Sequence, residues 1–262
     1  MKKYIASVSW GKDSTAMLLF IIKNNMPLDE VVFYNTGFEF EAIYKVRDKF
    51  IERYLKPLNI KYVELQPKRP FIETMLNYEH KTRKGTIKYG FGWCGGLCRW
   101  GTTEKLSALN KYCKDAIQYI GIAYDEPKRF ERLTPNKKAP LFEAKITEAE
   151  ALETCYKNGF NFDGLYKILK RVSCWCCRNK NLQELKAYKE YLPQYYERLK
   201  ELENLIGEPM KSLIIYMNVL KNKERKHTNE SIPILVQNNT DITNRIYLHN
   251  CGFVQASKIL LV

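Results

Sequence analysis

Near the start of the chain, a short polar segment separates two runs with regular apolar patterns. Residues 4–9 form an apolar run that predicts a buried strand, and residues 13–23 carry apolar side chains at helical spacing. A strand that runs directly into a helix leaves the first amides of that helix unpaired and places the positive end of its dipole at the junction. The junction therefore predicts a phosphate site within a layered α/β domain.

Strand and helix signals continue to alternate beyond this junction. The predicted strands cover residues 4–9, 31–35, 60–65 and 116–123, and the predicted helices cover residues 13–23, 39–54, 102–111 and 147–157. Strands separated by helices of this length predict a Rossmann-like parallel sheet with helices on both faces. Ligands of such sheets bind beyond the carboxyl ends of the strands.

The helix predicted over residues 147–157 has signals at both ends. Thr147 is a suitable N-cap, and Glu150 follows at the spacing of a capping box. Gly159 supplies the stop signal.

The end of the chain predicts a different organisation. Residues 181–207 are strongly helical, the chain is polar from residue 221 onward, and residues 242–262 have a β-like pattern. We therefore predict a nucleotide-binding α/β domain with a cysteine cluster over residues 1–180, followed by a helical extension and C-terminal tail over residues 181–262.

The chain carries 43 lysine and arginine residues against 29 aspartate and glutamate residues, which gives a formal net charge of +14 at pH 7. Such an excess attracts polyanions, most commonly nucleic acid, although it also serves simple solubility. No apolar run has the length of a membrane span, and the apolar part of the N-terminus is too short for a signal peptide. We therefore expect a cytoplasmic protein without membrane contact.

The phosphate segment differs from the common phosphate loops. It is Ser9-Trp10-Gly11-Lys12-Asp13-Ser14, with aspartate where a Walker loop has serine or threonine after Gly-Lys, and it lacks the glycines of a dinucleotide loop. Gly11 allows close approach of the backbone, the two serines can donate hydrogen bonds, and Lys12 adds positive charge. Asp13 can cap the helix or hold Mg²⁺. Ser-x-Gly-x-Asp-Ser after an N-terminal strand is the PP-loop signature, and the alternative is an ordinary capped helix after a tight turn.

Four stretches together resemble the phosphoadenosine-phosphosulfate reductase family, within the adenine-nucleotide α-hydrolase superfamily. The first is the phosphate segment, the second is Tyr34-Asn35-Thr36-Gly37-Phe38-Glu39-Phe40-Glu41, and the third is Gly121-Ile122-Ala123-Tyr124-Asp125-Glu126-Pro127-Lys128-Arg129. The fourth runs from Ala139-Pro140-Leu141 through Thr147-Glu148 and Asp163-Gly164-Leu165-Tyr166 to Cys174-Trp175-Cys176-Cys177. Asn35 and Ala123 depart from the family pattern, which has aspartate and arginine at these positions.

The resemblance implies that ATP or an adenylyl sulfate is held between the PP-loop and the ends of the sheet strands. Arg129 and Arg132 are then the expected partners of phosphate or sulfate, because a guanidinium binds such groups bidentately; the alternative is a solvated basic loop. The catalytic candidates are Lys12, Asp13 and Arg129. The nucleotide-binding candidates are Ser7, Ser9, Trp10, Gly11, Lys12, Asp13, Ser14, Thr15, Asn35, Thr36, Gly37, Gly121, Arg129 and Arg132.

Eight cysteines are many for a chain expected in a reducing compartment, where disulfides are disfavoured. Cys94 and Cys98 form one pair and Cys174 and Cys177 another, and four thiolates can hold a [4Fe–4S] cluster or a structural zinc ion. Cys176 is an alternative ligand. The resemblance implies a cluster, since several family members carry one at comparable positions, and the other interpretation is a set of unrelated buried thiols.

Reductases of this family carry a catalytic cysteine in a C-terminal Glu-Cys-Gly-(Ile/Leu)-His motif. This chain has Leu248-His249-Asn250-Cys251-Gly252-Phe253, which lacks that glutamate and that histidine. We therefore interpret Cys251 as a core thiol of the β-like terminal segment rather than as a nucleophile.

Two segments of the chain are strongly basic. Residues 81–93 mix cations, glycines and aromatic residues, so they predict a flexible segment that follows a phosphate backbone and stacks on bases, or else a lid over the nucleotide. Residues 221–227 predict a solvated tail.

These observations lead to three functional hypotheses. The first is an ATP pyrophosphatase that adenylates an acceptor oxygen, after which sulfur displaces AMP, as in DNA phosphorothioation or tRNA thiolation. This reaction needs ATP, Mg²⁺ and a sulfur donor such as a cysteine desulfurase. The second is a sulfonucleotide reductase that makes sulfite from adenylyl sulfate or its 3′-phosphorylated form. The third is a nucleic-acid-binding subunit without catalysis. The basic charge and the altered C-terminal motif favour the first hypothesis.

Overall fold

The computed structural model describes residues 2–94 and 97–210. Its strands are β1 (Tyr4–Val8), β2 (Glu30–Tyr34), β3 (Lys61–Leu65), β4 (Glu79–Lys81), β5 (Ile87–Tyr89), β6 (Ile117–Ile120) and β7 (Lys137–Lys138). Its α-helices are α1 (Lys12–Lys23), α2 (Glu41–Phe50), α3 (Phe71–Leu76), α4 (Lys105–Tyr112), α5 (Pro127–Phe130), α6 (Pro140–Glu143), α7 (Glu148–Lys157), α8 (Leu165–Ile168), α9 (Leu182–Tyr191) and α10 (Pro193–Ile206). Two π-helical turns cover Ile51–Leu55 and Arg99–Glu104, and a 3₁₀ turn covers Phe162–Gly164.

Five strands form one sheet in the order β3-β2-β1-β6-β7, and each neighbouring pair is parallel. Its centre consists of apolar residues that suit strands covered on both faces, since Ala6 of β1 and Val31, Val32 and Phe33 of β2 are fully buried. Helices flank the sheet, and α1 packs on α6 and α7. The predicted α/β fold class is therefore confirmed.

The direction in which the sheet grows reverses at β1. The chain builds from β1 outward through β2 to β3, and it then returns to the other side of β1 to form β6 and β7. Parallel sheets bind ligands at such a reversal, because the loops that follow the two central strands separate there. Here those loops are residues 9–11, before α1, and residues 121–126, before α5.

Three predicted helices differ from the structure in their ends or continuity. The helix predicted over residues 39–54 is α2 followed by a π-helical turn, and the one predicted near residue 102 begins with another such turn. A π turn contains an extra residue that helical periodicity does not reveal. The helix predicted over residues 181–207 is divided at Leu192, because Pro193 cannot donate a backbone hydrogen bond.

Among the described residues, no helix combines the length and apolar composition needed to cross a membrane.

The end signals of α7 are confirmed. The Glu150 amide donates to Thr147 Oγ1 at 3.3 Å, and the Thr147 amide donates to the Glu150 carboxylate at 2.8 Å. Gly159 follows the helix in the left-handed conformation, with φ of 79°. These local interactions fix the start of the helix whose first residue, Glu148, reaches the phosphate loop.

The described residues fall into two compact units. The sheet unit contains the described residues of 1–69 and 94–197, and the hairpin unit contains those of 70–93 and 198–262. The domain boundary predicted near residue 180 stays a prediction.

The hairpin unit contains regular structure where the sequence predicted a flexible segment. Strands β4 and β5 pair antiparallel, and residues 82–86 form the turn between them. Gly85 adopts φ of 83° in that turn, a conformation that favours glycine. The prediction for residues 81–93 was therefore wrong over β5, because frequent lysine and glycine obscure a strand of three residues.

Glu30, at the start of β2, is buried among three polar partners. Its carboxylate accepts hydrogen bonds from Lys3 Nζ at 2.7 Å and Tyr112 Oη at 2.6 Å, and Lys61 Nζ lies at 3.4 Å. The hydrogen bonds from Lys3 and Tyr112 lower the pKa of Glu30 to about 2. The carboxylate therefore stabilises the folded state as long as it stays ionised.

We expect Glu30→Gln to lower the free energy of unfolding by about 1–3 kcal/mol near pH 7. Because the folded pKa lies below the unfolded one, this contribution is present above about pH 5 and is lost as the pH falls toward 2. Urea unfolding near pH 7 and near pH 3 measures it, with the exposed Glu52→Gln as a control that changes stability by less than about 0.5 kcal/mol. A Glu30→Gln difference of equal size at both pH values would contradict the assignment.

Candidate nucleotide site and cysteine cluster

The loop after β1 turns sharply into α1. Trp10 adopts φ of 58°, which is unfavourable for a bulky residue, and Gly11 is the N-cap of the helix. Ser14 Oγ holds the turn, since it accepts from the Ser9 amide at 3.2 Å and donates to the Gly11 carbonyl at 3.1 Å. Because Gly11 offers no capping side chain, an anionic ligand can bind at the first turn of α1.

Lys12 is held between two carboxylates. Its ammonium group donates to Asp13 Oδ1 at 2.8 Å and to Glu148 Oε2 at the start of α7. Burial opposes the charged form of Lys12, but the hydrogen bonds to both carboxylates outweigh it and raise the pKa of Lys12 above its ordinary value. Lys12 is therefore a fixed positive charge beside the loop.

The same two carboxylates fit a divalent cation. Asp13 and Glu148 converge on the Lys12 ammonium group, so a divalent cation that both carboxylates bind would lie beside that group or in its place. Carboxylate oxygens are the ligands that Mg²⁺ prefers, usually one or two of them together with substrate phosphates. Burial raises the pKa of Asp13, although Lys12 opposes the shift, so a second cation there would favour its ionised form.

Two glycines leave no room for a side chain beside the loop. A Cβ added at Gly121, directly after β6, would lie 2.8 Å from the Ser14 amide nitrogen and 3.0 Å from the Asp13 carbonyl carbon. A Cβ added at Gly11 would lie 3.0 Å from Tyr166 Oη. The loops after β1 and β6 thus pack backbone against backbone at the reversal of the sheet.

Asn35, which follows β2, organises the second predicted nucleotide segment. Its Oδ1 accepts from the Gly37 amide at 2.9 Å and from the Tyr44 hydroxyl at 2.8 Å, and its Nδ2 donates to Glu64 at 2.8 Å. An aspartate would lack the donor and would repel Glu64, so asparagine suits this network where the family pattern has aspartate. The segment is therefore built at the same edge of the sheet as the PP-loop.

Three other predicted nucleotide residues have buried or occupied side chains. Ser7 Oγ accepts from Gln118 Nε2 at 2.6 Å within the sheet. The Trp10 side chain is fully buried against Phe50, so only its backbone borders the loop. Thr15 is also fully buried, and its hydroxyl has no hydrogen-bond partner in the part of the chain that the structure describes. A nucleotide contact by these side chains stays a prediction.

The two predicted arginines lie after β6. The Arg129 guanidinium donates to both carboxylate oxygens of Glu126 at 2.6 Å, and 52% of its side chain is exposed. Arg132 is exposed as well. Across the described residues, Arg129 is bonded to Glu126 rather than to the PP-loop, so a ligand anion would have to compete with that carboxylate. Their role in binding a nucleotide stays a prediction.

Two residues that we did not select from the sequence complete the loop. Glu148 binds the Lys12 ammonium group, and Tyr166 Oη accepts from the Lys12 amide at 2.9 Å. Burial raises the pKa of Tyr166, so its hydroxyl keeps a proton that it can donate to a phosphate oxygen. Both residues lie more than a hundred positions from Lys12, and the motif stretches that contain them were the one signal that could have identified them.

One cysteine of each pair lies beside Gly101, Cys98 from the first pair and Cys174 from the second. Cys94 Sγ accepts from the Arg99 amide at 3.1 Å, and Cys98 Sγ accepts from the Gly101 amide at 3.4 Å. The sulfurs of Cys98 and Cys174 would lie 3.7 and 3.8 Å from a Cβ added at Gly101. Residues that are separated widely in the sequence are therefore brought to one place.

This cysteine cluster adjoins the second nucleotide segment. Thr36 Oγ1 lies 3.7 Å from Cys174 Sγ, and the Trp175 amide donates to the Phe38 carbonyl at 2.9 Å. Trp175 is fully buried and packs on the Phe38 ring. The segment after β2 therefore connects the edge of the sheet to the cysteines.

The four thiols of Cys94, Cys98, Cys174 and Cys177 are of the kind that can bind either an iron–sulfur cluster or a zinc ion. Among the described residues, no three side chains of His, Cys, Asp or Glu are gathered closely enough to hold a single metal ion. A zinc ion would be bound by all four thiolates at once, whereas a [4Fe–4S] cluster would bind each thiolate to a different iron. The backbone amides that donate to Cys94 and Cys98 also suit cluster thiolates.

Lys180 places a buried positive charge near the cysteine turn. It is 3% exposed, its ammonium group donates to Ser173 Oγ at 3.2 Å, and it lies 5.4 Å from the ring centres of Phe40 and Tyr188. Burial lowers the pKa of Lys180, because the charged form is desolvated there. A buried cation is stabilised by a negative partner, and anionic sulfur ligands at residues 174–177 would supply one.

The other cysteines do not join this cluster in the described residues. Cys113 and Cys155 are buried, and Cys155 Sγ donates to the Lys12 carbonyl at 3.3 Å. Cys251 lies outside the described residues, as do the basic run 221–227 and the β-like segment 242–262.

A comparison with known families decides between the PP-loop and an ordinary capped helix. The family model for the phosphoadenosine phosphosulfate reductase domain matches residues 3–143, more than half of the chain. The chain belongs to this family. The matched region contains the PP-loop, the segment after β2 and both predicted arginines, so the resemblance inferred from the motifs is confirmed. Residues 174–177 lie beyond the part of the chain that the family model matches.

Two curated relatives come from Methanocaldococcus jannaschii. The uncharacterized protein MJ0066 is 26% identical over 226 residues, which are 79% of this chain and 42% of the relative. The uncharacterized protein MJ0973 is 26% identical over 215 residues, which are 77% of this chain and 47% of the relative. The chain therefore spans less than half the length of these family relatives.

One solved structure with similarity is the U34-tRNA thiolase NcsA from Methanococcus maripaludis with its [4Fe-4S] cluster. Its TM-score is 0.40 with 15% sequence identity, and the match covers 79% of this chain and 73% of that chain. A likeness of this size carries no functional argument, so the family assignment depends on the match to residues 3–143.

The close packing at Gly121 leads to a testable prediction. We expect Gly121→Ala to weaken ATP binding about tenfold or more, because the added carbon must displace the backbone of Ser14 or Asp13. Calorimetric titration with ATP measures the loss. Gly159→Ala is the matched control, since it introduces backbone strain at the end of α7 and should lower stability without weakening ATP binding. Equal ATP affinity in Gly121→Ala and wild type would show that the loop tolerates the displacement.

Proposed function

We propose that this chain is an ATP pyrophosphatase that adenylates an oxygen atom of a nucleic-acid acceptor, so that sulfur can replace it. The observation that carries the proposal is the PP-loop, where Lys12 is fixed between Asp13 and Glu148 beside the start of α1, at which Gly11 supplies no capping side chain. Such a site stabilises the negative charge that develops on a leaving pyrophosphate. The family assignment supports the adenine nucleotide as the ligand.

In the proposed reaction, the β- and γ-phosphates of ATP bind at residues 9–14. An acceptor oxygen attacks the α-phosphorus, the bond from that phosphorus to its bridging oxygen breaks, and pyrophosphate leaves with the electron pair. Lys12 and the amides of the first turn of α1 stabilise the leaving group, and Tyr166 donates its hydroxyl proton to a phosphate oxygen in a hydrogen bond. A sulfur nucleophile then displaces AMP from the adenylated acceptor.

Two bound groups belong to this proposal. Asp13 and Glu148 would hold Mg²⁺, and the ion would supply positive charge against the phosphates. Cys94, Cys98, Cys174 and Cys177 would hold a [4Fe–4S] cluster, with Cys176 as the alternative ligand, and the cluster would supply iron that can bind sulfur. Zinc is the alternative metal for these cysteines.

The acceptor in this proposal is nucleic acid, either a DNA backbone phosphate, as in phosphorothioation, or an RNA base, as in tRNA thiolation. The net charge of +14 supports it, because polyanions are attracted to such a chain. A cysteine desulfurase or another sulfur donor would be the second partner. We propose that the reaction takes place in the cytoplasm.

Pyrophosphate release from ATP, measured with and without RNA or DNA, tests the proposed function. Protein purified without oxygen should release pyrophosphate, and the rate should rise when the correct nucleic acid is added. The absence of pyrophosphate release with every nucleic acid tested would contradict the proposal.

A second candidate function is favoured by the family model, which describes a reductase domain. A sulfonucleotide reductase would release sulfite from adenylyl sulfate, or from its 3′-phosphorylated form, with thioredoxin as the reductant. Cys251→Ser should then abolish sulfite release. The missing glutamate and histidine around Cys251 favour the pyrophosphatase instead.

Tight nucleic-acid binding without turnover of either nucleotide would support a non-catalytic subunit.

A further inference from the structure

The β4–β5 hairpin carries an exposed run that the proposed chemistry does not use. Every residue from 83 to 89 is exposed. Two of them are large side chains that usually pack in a core, since Ile87 is 50% exposed and Tyr89 is 68% exposed. Apolar and aromatic groups that are presented together in this way indicate a contact surface.

The pairing register places these two side chains on one face of the hairpin. Glu79 is opposite Tyr89, and Lys81 is opposite Ile87. Directly paired residues and their neighbours two positions along a strand share a face. One face therefore carries Tyr89, Ile87, Lys81 and Glu79, and we call it the tyrosine face.

On the opposite face of the hairpin, the His80 ring packs within its own unit while its pair Lys88 is exposed. His80 is opposite Lys88 in the register, and the His80 ring stacks on Phe91 with ring centres 4.1 Å apart. Tyr78 also stacks on Phe91, at 5.5 Å. The tyrosine face is thus the one that remains exposed for a partner.

The charge around the tyrosine face is strongly positive. Lys81 on this face and Arg83 and Lys84 in the adjoining turn are exposed, and none of the three forms an ion pair with another described residue. Glu79 is the only carboxylate in the sequence from residue 78 to residue 91. A surface with this balance complements a polyanion.

We propose that the tyrosine face binds single-stranded nucleic acid. Tyr89 stacks on an unpaired base, and Arg83, Lys84 and Lys81 neutralise neighbouring phosphates. An exposed aromatic ring can stack only on a base that is not already stacked in a duplex, which favours a single strand. This inference rests on the proposed function in one respect, the nucleic-acid acceptor, and it names the surface that holds that acceptor.

Fluorescence anisotropy of labelled single-stranded RNA and DNA of about 20 nucleotides, with the full chain and at several salt concentrations, tests the proposal. The test variant combines Arg83→Glu with Lys84→Glu. The matched control combines Lys23→Glu with Lys114→Glu, which makes the same change in net charge at exposed positions of the sheet unit, shortly before β2 and β6 in the chain. Thermal unfolding of each variant verifies that it is folded.

We expect the hairpin variant to bind about tenfold or more weakly than the control variant. Loss of two phosphate contacts should also reduce the slope of log affinity against log salt by about 1.4, and the control should keep the wild-type slope. Tyr89→Ala should weaken single-strand binding by about fivefold or more, and Tyr89→Phe should retain it. Duplex binding should not respond to either tyrosine substitution.

Equal binding by the hairpin and control variants would overturn the proposal, as would equal binding by Tyr89→Ala and Tyr89→Phe. A hairpin variant that changes only the KM for ATP would show that the segment is a lid over the nucleotide instead. Because binding is measured without turnover, the two proposals can fail separately. Hairpin-dependent binding by a chain that releases no pyrophosphate would support the tyrosine face and contradict the proposed reaction.

Discussion

Lys12→Met is expected to lower the rate of pyrophosphate release from ATP by about 10²–10³-fold. The Lys12 ammonium group is buried beside the PP-loop and is held by Asp13 and Glu148, so its positive charge is fixed beside the loop. The loss should appear mainly in kcat, because charge develops on pyrophosphate in the transition state. A continuous assay of pyrophosphate with saturating ATP and acceptor measures it.

Lys23→Met is the matched control for this prediction, since Lys23 is exposed at the other end of the same helix. It should retain wild-type activity. Equal activity of Lys12→Met and Lys23→Met would mean that the loop does not stabilise the leaving group. Glu148→Gln should reduce activity less than Lys12→Met does, because it weakens the positioning of the ammonium group without removing the charge.

Cys98→Ser and Cys174→Ser are each expected to abolish the bound cluster. The two sulfurs converge near Gly101, and a serine hydroxyl is a poor ligand for the iron of a cluster. Protein purified without oxygen should show absorbance at about 400 nm together with bound iron, and both signals should be lost in these variants. Activity that depends on the cluster should be lost with them.

Cys113→Ser is the control for the cysteine variants, because Cys113 is buried in the same unit and lies apart from the two pairs. It should keep its iron. Cys176→Ser identifies the alternative ligand, since it should retain iron if Cys174 binds the cluster. Undiminished iron in Cys98→Ser would contradict the proposed ligand set. Bound zinc without this absorbance would show that the cysteines hold a zinc ion instead of a cluster.

Features that depend on neighbouring residues could be predicted from the sequence. The PP-loop follows from a strand, a glycine and a helix start within a few positions, and the capping box of Thr147 and Glu150 is equally local. The parallel sheet follows from the alternation of apolar strands with helices of adequate length. In each case, the pattern alone contains the physical cause.

Features that depend on distant packing could not be predicted in the same way. Glu148 and Tyr166 reach Lys12 from α7 and α8, and neither has a local property that marks it for the site. The burial of the Trp10 ring is another such feature, because the loop pattern does not reveal that this apolar ring lies beside the core. The short strand β5 was missed because its lysine and tyrosine are also common in loops.

A crystal structure of the protein with a non-hydrolysable ATP analogue and Mg²⁺ tests the central claim most directly. We expect the β- and γ-phosphates within hydrogen-bond distance of the amides of residues 11–14 and of the Lys12 ammonium group. An analogue bound elsewhere on the protein, with these amides making no contact to phosphate, would contradict the account.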